Sequence, residues 1–229
     1  MKIALMFSGQ PRNVVQTYHN HIKPNILDAN AEHEIDVFVH TWFHKRDIGS
    51  PYLSAIDTVI SSNVESSVVS DIVGLYSPVH FEYSAQIPFD ERDYATNKYP
   101  FIKPKSSLSK MFSNRIVMNH VMNYMHAHNM TYDLVVSGRF DYGFNEPVRF
   151  DAQTSVGVHY VGNNPHGVNV SWCGGDVSSM NAYCDLFFAV EGLFRRGVPF
   201  CDEILAEAYL REMNIPVYPF IVSYSLIRG

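Results

Sequence analysis

Two periods of apolar spacing alternate along the chain. Lys2 to Phe7 is a short, near-continuous apolar run broken by Ser8-Gly9-Gln10-Pro11. A strand buried on both faces reads this way, and Pro11 at a first helical position then starts a helix. That helix is expected from about Pro11 towards Asp28, with Pro24 interrupting it. Ile35 to His40 is the second strand. Asp57 to Tyr76 looks helical in part, and Val79 to Tyr83 alternates as a third strand. Ser84 to Pro104 mixes Pro, Asp, Tyr and Lys without periodicity and reads as a long functional loop. From Ser106 to about Asn129 the spacing is strongly helical. Leu108, Met111, Met118, Met122 and Met125 share one stripe there, on which Arg115 also falls. Tyr132 to Ser137 is another buried strand, and it ends in Gly138-Arg139-Phe140-Asp141. Val156–Val161 and Val168–Trp172 suggest two more strands, followed by helices over Val177–Arg195 and Cys201–Met213 and an apolar strand from Pro216 to Val222. Strands alternate with helices through the first two thirds, which predicts a single α/β domain built on a mostly parallel sheet covered by helices.

Composition narrows the class. The 229 residues are 46% hydrophobic and 17% charged, enough for a packed core without a disulfide or metal staple. The 17 basic and 23 acidic residues give a net charge of −6, with no basic stripe to suit duplex nucleic acid. No apolar run approaches the ~20 residues of a spanning helix, and the short apolar start lacks the features of a signal peptide. Cys173, Cys184 and Cys201 form no close pair, which favours a reduced, cytoplasmic setting.

Three features carry candidate chemistry. The first is Ser8-Gly9-Gln10-Pro11-Arg12, a turn at the carboxyl end of strand one, where α/β sheets bind ligands. Gly9 lets a ligand approach the backbone, and Arg12 could grip a phosphate bidentately; the competing reading is an ordinary turn with a surface Arg. The turn is neither a dinucleotide fingerprint nor a P-loop. The second is Arg115, with Lys110 and Ser113 nearby. Arg115 either snorkels at the edge of the Met-rich stripe or reaches an anion pocket. The third is Asp141 beside Arg139. It suits either a divalent cation that bridges phosphate oxygens or an Arg–Asp pair that closes a turn. Trp42, Tyr94, Tyr99 and Trp172 could stack on sugar rings or belong to the core. His40 and His44 straddle a strand end, a poor zinc pair.

The ordered set Lys-Ile-Ala-Leu-Met-Phe-Ser-Gly-Gln-Pro-Arg (2–12), Asp36 to Trp42, and Tyr132 to Asp141 resembles small GT-A-type glycosyltransferases of large DNA viruses, phages and bacterial surface-polysaccharide loci. The resemblance covers about residues 1–145, the nucleotide-sugar half. Gly174-Gly175-Asp176 and Asp202-Glu203-Ile204-Leu205 are similar to the acceptor half. It implies a nucleotide-sugar donor held by Ser8, Gly9, Gln10 and Arg12, with Lys110, Ser113 and Arg115 facing its base or pyrophosphate, and a glycan acceptor. It also implies Mn²⁺ or Mg²⁺ at Asp141. Arg139 stands where the family's first carboxylate would be, so either Asp141 binds the ion unaided or Arg139 takes over part of the cation's neutralising role. Asp176 would be the base for the acceptor hydroxyl, with Glu203 the second choice; Glu203 and Asp202 equally suit the first turn of a helix for dipole reasons. Rival classes are a non-catalytic nucleotide- or glycan-binding module, and a methyl- or sulfotransferase on a doubly wound sheet.

Overall fold

A computed structural model describes residues 1–43, 65–85, 87–89, 94, 99, 102–151, 156–162 and 167–227. Its centre is a seven-stranded sheet. The strands are β1 (Lys2–Gly9), β2 (Glu34–Phe43), β3 (His80–Ala85), β4 (Leu134–Gly138), β6 (Val158–Val161), β7 (Trp172–Gly175) and β8 (Val217–Phe220). Their order is β3-β2-β1-β4-β7-β6-β8, and β5 (Tyr142–Phe144) pairs with β9 (Tyr224–Leu226) in a separate two-stranded sheet. β3, β2, β1 and β4 run parallel; β7 is antiparallel to both β4 and β6, and β8 is parallel to β6. The expected α/β class with a mostly parallel sheet flanked by helices is therefore what the chain adopts, and the sheet draws strands from both halves of the sequence.

Alternation along the strands divides the core between the two faces of the sheet. Ala4 and Met6 of β1 and Val135 of β4 join one cluster, with Leu108, Met111, Val117, Met118 and Val121 of helix α3 (Pro104–His128). The same cluster takes residues of α4 (Val177–Arg195) and α5 (Asp202–Glu212). Ile3, Leu5 and Phe7 of β1, with Leu134 and Val136 of β4, point the other way. They meet Ile22, Ile26, Ile72 and Tyr76 from the first helical segment and from α2 (Glu65–Tyr76). That first segment starts as α1 (Val14–Thr17) and continues as a wide π-helix from Tyr18 to Leu27. Pro24 lies inside the wide stretch. An α-helical proline loses a hydrogen bond and clashes with the preceding turn, and the wider turn accommodates it, so the expected interruption is a change of helix type. β5 and β9 lie outside the sequence expectations, because three-residue strands carry too little periodicity to read.

Trp172 belongs to the core. It is fully buried, with its ring centroid 4.8 Å from Phe144 and 6.3 Å from Phe7, so it is no sugar-stacking surface. Its indole also fills the space beside the last residue of β4: a Cβ on Gly138 would fall 2.3 Å from Trp172 Cζ3 and 2.4 Å from Cε3. With the indole enclosed, Gly138→Ala is expected to cost about 1–3 kcal/mol. Urea unfolding measures it, and a cost no larger than that of an exposed substitution would show that the indole yields freely.

Candidate anion-binding site

From β1 the chain steps outward to β2 and β3, then returns to β4 on the other side of β1. The crevice between the carboxyl ends of β1 and β4 is thus the switch point at which open α/β sheets take ligands. Register sets Phe7 beside Gly138, so Ser8-Gly9-Gln10-Pro11-Arg12 and Arg139-Phe140-Asp141 leave the sheet side by side. Gly9 turns the chain with φ +97°, a conformation that favours glycine. Arg139 grips Asp141 through both forks, Nε donating to Oδ1 at 2.7 Å and Nη2 to Oδ2 at 2.6 Å. Arg12 Nη1 lies 3.9 Å from the same Oδ2, and its Nη2 donates to Gln10. The Asp141 side chain is 5% exposed, while each arginine keeps 29%. One buried carboxylate thus holds two guanidinium groups, each partly exposed, at the carboxyl ends of β1 and β4.

Helix α3 supplies the second wall. Ser113 Oγ accepts the Gly9 N–H at 3.0 Å, and Asn114 Oδ1 accepts the Ser8 hydroxyl. Ser113 also meets His40 Nδ1 at 2.6 Å, and His40 Nε2 meets Ser84 Oγ at 3.2 Å. One turn before Asn114, Lys110 donates its ammonium to the Val170 carbonyl. Burial, then the charge of Arg139, lowers the Lys110 pKa to about 8, against the pull of Asp202 and Glu203. Asp202 opens α5, and its carboxyl is raised by burial against the opposing Lys110 charge and a Ser107 hydrogen bond. Its Oδ1 is buried with no hydrogen-bond partner among the described residues. Lys110, Asn114, Val170 and Asp202 line a small pocket with room for about one water. A half-buried acid and base shifted in opposite directions at one pocket are a mark of functional sites.

The structure brings together Ser8, Gly9, Gln10, Arg12, Ser113, Arg139 and Asp141, and sets Lys110 and Glu203 within electrostatic reach of one another. It does not bring Arg115 or Asp176. Arg115 bridges to α4, donating to Asp185 Oδ1 at 2.7 Å, to Asn181 Oδ1 at 3.0 Å, and also to Asn119; it reaches no anion pocket. Asp176 caps α4 by accepting the Ser179 N–H at 3.0 Å, and it takes a further bond from Gly157 N–H at 3.0 Å. Burial opposes these bonds, yet they hold its carboxyl below the ordinary value, the wrong direction for a base. Its place is also wrong. β7 runs antiparallel to β4 with Gly175 beside Val135, so Asp176 follows at the end of the sheet remote from Gly138. Glu203 accepts from the Cys201 thiol at 3.1 Å.

A divalent cation does not fit Asp141. Both carboxylate oxygens are taken by Arg139, and Arg12 stands against one of them, so an ion would displace one fixed cation while facing the other. Of the two readings open from the sequence, the Arg–Asp pair closing a turn is the one the geometry supports. Trp42 is buried edge-on to His40, at 4.8 Å between centroids, and Tyr94 packs on Phe200 at 4.8 Å. His44 lies outside the described residues. Asn114 and the wall role of His40 were not anticipated; the available signal was that Lys110 and Asn114 stand four residues apart on one helix. No protein-family model matches the chain, and no curated protein matches it.

Proposed function

We propose that the chain is a glycosyltransferase of GT-A type, moving a sugar from a nucleotide-diphosphate donor to a hydroxyl of a glycan or related acceptor. The observation that carries the reading is the pair of guanidinium groups, Arg12 and Arg139, fixed on buried Asp141 at the switch point of the sheet. Planar forks suit the oxygens of a diphosphate, and among the described residues nothing lies within 4 Å of a Cβ placed on Gly9, which suits a ligand against the backbone. In the reaction the acceptor oxygen bonds to the anomeric carbon as the bond from that carbon to the phosphate oxygen breaks. The electron pair leaves with the nucleoside diphosphate, whose growing charge Arg12, Arg139 and Lys110 offset. The acceptor proton passes to a carboxylate. Asp202 takes this role in place of Asp176, with Glu203 beside it, because burial raises the Asp202 carboxyl towards the range useful to a base. No step passes through a metal ion.

The test offers the purified chain UDP-, GDP- and dTDP-sugars, each with and without Mn²⁺. At least one donor is expected to raise the melting temperature, since a ligand bound only to the native state stabilises it. The same donor should release nucleoside diphosphate, and Mn²⁺ should not tighten its binding. If no donor binds at millimolar concentration the reading fails. Binding without release over hours points to the binding-module alternative, and stabilisation by S-adenosylmethionine instead points to a methyltransferase.

A further inference from the structure

A second cluster stands on the same face of the sheet, away from the crevice. Alternation along β3 directs His80, Glu82 and Ser84 to one side, and register sets Glu82 beside His40 of β2. Helix α3 covers them. Ser113 and His120, seven residues apart, share one helix face, which brings His120 onto the strand as Ser113 is brought onto His40. His120 Nε2 lies 2.8 Å from Glu82 Oε2, and the His80 and His120 rings stack with centroids 3.8 Å apart. One nitrogen from each imidazole and one Glu82 oxygen all lie within 4.8 Å of one another, and all three residues are half-buried.

We infer that His80, Glu82 and His120 form a binding site for a divalent transition-metal ion of the zinc class, separate from the nucleotide crevice and independent of the proposed glycosyl transfer. Zinc accepts two imidazoles and one carboxylate, with water completing a tetrahedron. Bonds of about 2.1 Å place tetrahedral ligand atoms roughly 3.4 Å apart, so the cluster needs only small side-chain adjustments to close on an ion. Imidazole donors favour zinc, copper, iron or nickel over magnesium or calcium. The carboxylate is already oriented from behind: Glu82 Oε1 accepts the Ser84 hydroxyl at 3.1 Å, and Ser84 leans on His40 Nε2 at 3.2 Å. Such second contacts steer metal ligands in general. The ion would clamp the edge strand β3 to α3. A second grouping, Glu32, His33 and Asp151, also lies within ligand distance. Its two carboxylates are exposed, and Glu32 is already paired with Arg149 at 2.8 Å, which makes it the natural control.

The full chain, stripped of metal, is titrated with Zn²⁺ against a chromophoric chelator, and its melting temperature is followed. One equivalent should bind, and Zn²⁺ at about a hundredfold excess over its dissociation constant should raise the melting temperature by roughly 5–10 °C. Mg²⁺ should do neither. His120→Ala and Glu82→Gln should each weaken binding at least tenfold, as His33→Ala should not; Glu82→Gln keeps the shape and the Ser84 contact, so loss of binding there is not loss of fold. Substituting Co²⁺ should give the intense visible absorption of a low-coordinate ion. No bound equivalent, or binding lost in His33→Ala and kept in His120→Ala, overturns the assignment.

Discussion

Arg139→Ala should lower stability by about 3 kcal/mol and abolish donor binding, whereas Arg139→Ala with Asp141→Ala should regain most of the stability and none of the binding. The asymmetry follows from burial. The Asp141 side chain is 5% exposed and takes both of its short hydrogen bonds from Arg139. Removing one partner of a buried pair leaves the other charge uncompensated, at a cost of about 3–5 kcal/mol. Arg12, 3.9 Å from the carboxylate, offsets a part, which places the expectation at the lower end. Deleting the carboxylate as well removes the stranded charge, so the fold recovers. The crevice does not, because the fork that faces the diphosphate is gone. Arg139→Lys separates charge from shape: it keeps the cation but not the planar two-point grip, and is expected to restore stability better than donor affinity. Denaturant unfolding and donor-induced thermal shifts measure the two quantities separately. If the double variant binds donor as the unaltered chain does, the pair is structural alone and the diphosphate reading loses its support.

Much of the scaffold was readable because burial on both faces leaves a continuous apolar run. Lys2 to Phe7, Ile35 to His40 and Tyr132 to Ser137 each became a central parallel strand. α4 spans Val177–Arg195 as its periodicity predicted. What periodicity does not encode is strand direction. Gly174-Gly175-Asp176 reads as a loop after a strand over Val168–Trp172, but the strand is Trp172–Gly175 and runs against β4, so the carboxylate emerges at the far end of the sheet. The error over Arg115 has a similar root. Ser113 and Arg115 are close in sequence yet about 200° apart around a helix, so when Ser113 faces Gly9 the arginine must face α4. Conversely, the turn after β1 and the Arg139–Asp141 pair were visible because strand ends and their flanking residues are local in sequence. The His80–Glu82–His120 cluster was not, since His120 arrives from a helix about forty residues on; only the period-two spacing of His80, Glu82 and Ser84 hinted at it.

His40 joins these two regions, and its protonation state should govern acid stability. The residue is fully buried, and burial lowers its pKa from 6.5 to about 4, against the raising effect of Glu82 and with a smaller lowering from His120. The hydrogen bonds agree with a neutral ring. Ser113 Oγ accepts from Gly9, so its hydroxyl is free to donate to His40 Nδ1; Nε2–H then donates to Ser84, whose hydroxyl donates to Glu82. Every donor finds an acceptor only while Nδ1 is bare. A proton there turns the Ser113 hydroxyl away, towards the His40 carbonyl at 3.4 Å. The sign follows from linkage. Above pH 6.5 neither the folded nor the unfolded ring carries the extra proton, and His40 adds no pH dependence. Between pH 6.5 and about 4 the unfolded chain binds a proton that the folded chain refuses, so stability falls as pH falls, by about 1.4 kcal/mol per unit and about 3 kcal/mol in all. Below about pH 4 both states are protonated and the loss levels off. His40→Gln removes the titrating group while keeping one polar contact. Its stability deficit should therefore be largest at pH 7.5 and shrink towards pH 4.5, as measured by urea unfolding at each pH. A deficit that stays constant across that range would show that the folded ring titrates at its ordinary value, and that the chain from Gly9 to Glu82 does not depend on a neutral His40.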